Sequence, residues 1–139
     1  MKSRIILAAA ALALVLGMNA QAADMKAIND QHKVAMDKCK DLKGNAKDIC
    51  KAEADGQKKV AKAEAEQKEN DTPKNRFKVD EAKAKAQYDV AKEKCDDLKG
   101  DAKSACQKAA KAERGGAIAQ ARKASASEPK PAKDEKKKG

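Results

Sequence analysis

Aromatic side chains are almost missing from this sequence. Among its 139 residues stand one tyrosine, one phenylalanine and no tryptophan. Aromatics supply much of the buried area of ordinary domains, and beyond residue 22 the large apolar residues of every kind number only thirteen, too few to fill a conventional core. Phe77 and Tyr88 are also too far apart to form a stacking platform for bases; they read as packing residues. Histidine occurs once, at His32. A lone histidine is a poor basis for catalysis, and His32 reads as part of a helix stripe, with ligand binding or pH sensing as the lesser alternative. Only three prolines are present, two of them within residues 125–139, so little interrupts helix before that point. The carboxylates are scattered over charged helix faces, with no pattern that gathers polar groups into a pocket. An enzyme is therefore not expected, and neither is a cofactor or a metal.

Long apolar runs are also scarce. The one run, Ile5 to Leu16, is shorter than the ~20 residues that span a bilayer. Lys2 and Arg4 precede it and Ala20-Gln21-Ala22 follows it. A basic start, an apolar middle and an A-x-A end make a secretory signal peptide. Residues 1–22 are read as that signal, with cleavage between Ala22 and Ala23; an uncleaved anchor is the alternative. No cysteine follows the run closely, so a lipoprotein anchor is not indicated. The expected destination is the periplasm, with release from the cell as a variant of it. The mature chain then carries no transmembrane segment.

What the chain has in quantity is alanine, lysine, glutamate and aspartate. Its formal net charge of +10 falls to +8 when Lys2 and Arg4 leave with the signal. Strong helix formers dominate, so the fold class expected is all-α, with four long, coiled-coil-like helices.

Four cysteines organise these helices. Cys39-Lys-Asp-Leu-Lys-Gly-Asn-Ala-Lys-Asp-Ile-Cys50 recurs as Cys95-Asp-Asp-Leu-Lys-Gly-Asp-Ala-Lys-Ser-Ala-Cys106. Gly44 and Gly100 suit the left-handed residue just past a helix end. Asn45 and Asp101 suit the N-cap of the next helix. A stop followed at once by a start predicts an αα-hairpin. The cysteines fall symmetrically about each turn, on opposite legs, roughly 8 Å back from it at 1.5 Å rise per residue. Disulfides Cys39–Cys50 and Cys95–Cys106 are therefore expected, each stabilising the fold by ~3 kcal/mol through loop closure. An oxidising compartment and an even cysteine count agree with this. Free buried thiols and a zinc site are the alternatives, but C-x2–4-C ligand spacing is absent, as is a C-x-x-C redox motif.

Taken in order, helix one is expected over 23–43, with Met25, Ile28, His32, Ala35, Cys39 and Leu42 on one stripe. Helix two is expected from 46 to about 70, with a weak stripe of Ala46, Ile49, Cys50 and Val60, and Gly56 costing ~1 kcal/mol of helix propensity. Thr72 and Pro73 suit the N-cap and first position of helix three, which is expected over 73–99 with Phe77, Ala84, Tyr88, Ala91, Cys95 and Leu98 on its stripe. Helix four is expected over 102–114, with Ala105, Cys106, Ala109 and Ala112 inward. Gly115-Gly116 then leaves two outcomes, an end or a resumption to Lys123. The domains are thus residues 23–71 for the first hairpin, 72–124 for the second, and 125–139 for a disordered basic tail ending in Lys136-Lys137-Lys138.

The two hairpins are copies. His32–Ala54 aligned on Tyr88–Ala110, a shift of 56, gives twelve identities in 23 positions. The Cys, Leu, Gly and Val matches carry the repeat, since alanine and lysine match cheaply in this composition. Duplication of a unit that cannot bury its own apolar face is the natural explanation.

With these units in view the chain resembles small exported alanine/lysine-rich proteins of Gram-negative bacteria. They carry paired KC-x-x-L-x-G-N-A-K-D-x-C units, a TPK centre and VAKEKCDDLKG before the second unit, and they are often grouped with the envelope protein TolA. The resemblance covers roughly residues 26–113. The second unit departs from the pattern at Asp101 and at Ser104-Ala105, which implies a softer fourth helix. It implies no activity.

Two functions lead, ahead of a metal-binding or redox-sensing role. The first is a non-enzymatic, envelope-associated structural or interaction module, pairing with an envelope protein or with itself through a helix stripe. The second is weak binding of anionic polymers (lipopolysaccharide, anionic lipid or nucleic acid) by the basic surface and lysine-rich tail.

Overall fold

Residues that lose little on entering a helix fill the chain from residue 20 onward. A computed structural model describes residues 20–127. Within them the protein is all-α, with α1 (Ala20–Lys38), α2 (Gly44–Glu69), α3 (Pro73–Cys95) and α4 (Gly100–Ser127).

Each helix packs only on its sequence neighbours. Among the described residues α1 meets α2, α2 meets α3 and α3 meets α4, while α1 reaches neither α3 nor α4. The helices alternate in direction, so they form an open layer instead of a closed bundle. The α2–α3 interface is the most extensive of the three. The turn at 70–72 therefore separates the two hairpins in sequence but not in space.

The layer has little interior. Its buried residues are Cys39, Cys95, Val79, Gly56 and the alanines Ala54, Ala63, Ala84, Ala110 and Ala121. Met25, Val34, Leu42 and Leu98 stay exposed. Where small side chains meet, backbones approach closely. A Cβ placed on Gly56 would lie 2.8 Å from Ala86 Cβ and 3.4 Å from its Cα. Gly56 thus sets the spacing of α2 and α3, a role that its poor helix propensity hides.

Both disulfides form, Cys39–Cys50 and Cys95–Cys106, each with a Cα–Cα distance of 5.6 Å. The turns differ in detail from the sequence expectation. α1 ends at Lys38, not at 43, and α3 ends at Cys95, not at 99. Cys39 and Cys95 therefore sit at the helix ends, not roughly 8 Å back along the legs. The reason is distance. Packed helices stand 8–10 Å apart, and residues 39–43 and 96–99 are spent crossing that gap. Gly44 and Gly100 do adopt the left-handed conformation, with φ of +57° in both. They open α2 and α4, however, instead of closing α1 and α3. The N-cap of α2 is Lys43, without a side-chain cap, and Asn45 lies inside the helix. Its Nδ2 donates to the Glu93 carbonyl at 2.7 Å, which ties the start of α2 to the end of α3. Asp101 likewise falls in the first turn of α4, where a carboxylate favours the helix dipole.

The central turn follows expectation. Thr72 caps α3, its Oγ1 accepting from the Asn75 N–H at 3.2 Å, with Pro73 at the first position. Asn75 Nδ2 donates back to the Asn70 carbonyl at 2.8 Å, and Arg76 pairs with Asp71 at 2.8 Å. α4 passes through Gly115-Gly116 and runs to Ser127, beyond both outcomes left open for it and three residues into the segment expected to be disordered. The rest of that tail, 128–139, and residues 1–19 of the signal lie outside the described residues.

Candidate interaction surfaces

The stripes decide which surface is left for function. On α1, Ile28, His32 and Ala35 turn toward α2 and are half-buried, with Cys39 fully buried beyond them. His32 Nε2 lies 2.6 Å from Asp55 Oδ1 on α2, so the one histidine serves the α1–α2 contact. On α3 four of the six expected stripe residues, Phe77, Ala84, Tyr88 and Cys95, face α4, whereas Ala91 lines the groove toward α2 and Leu98 is exposed beyond the helix end. Arg114 lies over the Tyr88 ring at 4.1 Å, Arg122 stands 5.9 Å from the Phe77 ring centre, and Cys95 is bonded to Cys106. These two Arg–aromatic contacts were not expected from the sequence, where Phe77 and Tyr88 were read as packing residues and neither arginine was singled out. α3 has a second packed face, carrying Val79 and Ala86 toward α2, which the single expected stripe did not include.

α4 is rotated from its expected position. Cys106 faces α3, but Ala105, Ala109 and Ala112 are exposed, and Ala110, Ile118 and Ala121 take the inward places. Alanine surrounds this helix, so hydropathy cannot choose its face. The disulfide and the Arg114–Tyr88 contact fix the rotation instead. A stripe of Ala102, Ala105, Ala109, Ala112, Gly116 and Ala119 is thereby left on the far side of the edge helix, alternating in steps of three and four.

Ion pairs cross between helices at the exposed rims. Lys59 meets Asp89 at 3.2 Å, Lys83 meets Glu64 at 3.0 Å, Lys78 meets Glu66 at 2.6 Å and Lys103 meets Asp96 at 2.9 Å. The Lys103 hydrogen bond holds the Asp96 carboxyl below its ordinary range, and Lys40 does the same for Asp37 at the end of α1. An open groove of about 620 Å³ runs between α2 and α3, with Val60 and Val90 on its floor and both Glu64 and Lys83 on its rim. A larger one, about 930 Å³, lies at the end of the layer where the central turn meets the last turns of α4.

All four cysteines are bonded, which leaves no thiolate for zinc or redox chemistry in this form. Two disulfides suit an oxidising, exported compartment. Ala22 and Ala23, the expected cleavage pair, fall in the first turn of α1. Among the described residues no helix is long and apolar enough to cross a membrane. Set against protein-family models, curated proteins and solved structures, the chain matches none.

Proposed function

We propose that this chain is a non-enzymatic helical module of the periplasm, associated with the envelope, that works by pairing through the far face of α4. The observation that carries this reading is the small-residue stripe on that face. Under the 56-residue repeat, Ala112, Gly116 and Ala119 correspond to Gly56, Val60 and Ala63 of α2. On α2 that face is covered by α3, with Gly56 against Ala86 and Ala63 buried. On α4 nothing among the described residues covers it.

The occupant that fits is a second copy of this chain, through the same face. The opposite edge of the layer cannot serve, because α1 carries Asp30 where α3 has Ala86, locked to Lys26 at 2.8 Å. Head-to-tail growth would bury that ion pair, whereas a two-fold pairing of α4 closes the assembly. Charge selects the direction. Lys108 and Glu113 flank the stripe on opposite sides. A parallel pairing sets Lys108 beside Glu113 of the second copy, while an antiparallel one parts them. The signal-like residues 1–22, the disulfides and the resemblance to exported alanine/lysine-rich proteins support the periplasmic address.

Light scattering on the oxidised protein is expected to give twice the chain mass at high micromolar concentration. Ala112→Glu is expected to return it to a monomer with its helicity unchanged. Lys108→Glu and Glu113→Lys are each expected to weaken the dimer, and the double exchange to restore it. A wild-type protein that stays monomeric throughout would remove the reading.

A further inference from the structure

The groove at the end of the layer differs in charge from the larger grooves along its face. Those between neighbouring helices mix acids with bases, as Glu64 with Lys83 and Asp30 with Lys38. The end groove is lined by Lys74, Lys78 and Arg122, with Asn75 and Ser125 between them, Phe77 at one wall and no carboxylate. Three cations converge there from two helices that meet only because α3 and α4 are antiparallel. Lys78 is engaged by Glu66 at 2.6 Å. Neither Lys74 nor the Arg122 guanidinium has a carboxylate partner among the described residues, and Arg122 rests instead near the Phe77 ring. Two cations unneutralised in one concavity favour an anion strongly.

We infer that this groove binds a phosphate group carried on a lipid headgroup. The guanidinium fork of Arg122 suits two phosphate oxygens at once, and Lys74 adds a point charge beside it. The volume of about 930 Å³ far exceeds a bare phosphate. Phe77 supplies an apolar wall for the glycerol or sugar that carries the group. The position of the groove sets the orientation. It lies at the end of the helices, beside the turn at 70–72, so the layer stands end-on to the lipid surface with both disulfides pointing away. The chain leaves α4 at Ser127 next to the same groove, and its sequence goes on to Lys136-Lys137-Lys138. This site does not depend on the pairing of α4, whose stripe lies on another face.

The test is co-sedimentation of the full oxidised chain with phosphatidylcholine vesicles, with and without phosphatidylglycerol. Binding is expected only with phosphatidylglycerol and is expected to fall at high salt. The double variant Lys74→Glu/Arg122→Glu is expected to lose about tenfold or more in partitioning, since each basic residue near an anionic surface contributes appreciably. Lys83→Glu/Lys94→Glu makes the same charge change in the α2–α3 groove and is expected to cost distinctly less. Matched circular dichroism melts of the two variants keep a folding defect from imitating the result. Three outcomes would overturn the inference. They are equal losses in both variants, binding abolished by removing 128–139 but not by Lys74→Glu/Arg122→Glu, and inorganic phosphate shifting the Lys74 and Arg122 resonances while vesicles of either composition go unbound.

Discussion

One methyl group governs how near α2 and α3 can come. Gly56→Ala gains about 1 kcal/mol of helix propensity, but the new Cβ would stand 2.8 Å from Ala86 Cβ. Overpacking of that kind costs about 1–3 kcal/mol, and the neighbour here is backbone-anchored and unable to swing away. The net change is expected to be destabilising in denaturant melts, and Ala86→Gly is expected to recover most of it. Stabilisation by Gly56→Ala alone would mean that the helices are not held this close. Asn45 offers a second test. Its bond to the Glu93 carbonyl joins helices from different repeats, so Asn45→Ala is expected to cost about 1 kcal/mol. If Asn45 acted as an N-cap, Asn45→Ser would be tolerated; spanning to Glu93, it is not replaceable by serine. Neither role was legible beforehand, because Ala86 and Glu93 are remote in sequence and no local pattern points to them.

Among the helices, the disulfides do unequal work. α1 has the smallest interface in the layer, and Cys39–Cys50 is its covalent tie to the rest. Replacing that pair by serine is expected to cost about 2–3 kcal/mol and to leave α1 fraying in hydrogen exchange. Replacing Cys95–Cys106 is expected to leave α4 in place, since Arg114 and Arg122 still hold it to the α3 aromatics. The α3–α4 hairpin also has an acid-sensitive contact. Asp96 has its pKa lowered by the Lys103 hydrogen bond. A carboxylate depressed in the folded state stabilises it above the unfolded pKa and loses that effect as pH falls through the folded one. Melting temperature is therefore expected to be flat near neutrality and to drop in the acid range, with Asp96→Asn showing a shallower drop. Identical acid profiles would assign the fall elsewhere. At this scale the sequence was largely readable. The cysteine spacing, the Gly44 and Gly100 positions and the Thr72-Pro73 start gave four helices and both disulfides. The rotation of α4 was not readable, because alanine surrounds that helix and only sulfur and aromatic contacts orient it, whereas the second face of α3 left a signal that the single stripe passed over, Val79, Ala86 and Val90 in steps of seven and four.

The whole molecule is a chain of nearest-neighbour contacts. In such an array stability is a sum over adjacent interfaces, and the ends are weaker than the middle. Amide exchange is expected to be slowest in α2 and α3 and fastest in α1, with α4 between them. Uniform protection across the four helices would argue for a closed bundle instead. The open arrangement was the least legible level. A stripe pattern tells that a helix packs, but with alanine as the packing residue it does not tell on how many sides. Only the shortage of large apolar residues hinted that there would be little interior to share.

Both disulfides lie at one end of the layer, while α1 begins and α4 finishes at the other, beside the hydrogen-bonded turn at 70–72. A pull on the start of α1 and the end of α4 therefore enters at the unstapled end and peels α1 from α2 and α4 from α3 one turn at a time. It arrives at a sulfur bridge in each hairpin, and the residues enclosed by that bridge cannot lengthen. Under tension the protein would behave as a tether with two built-in stops.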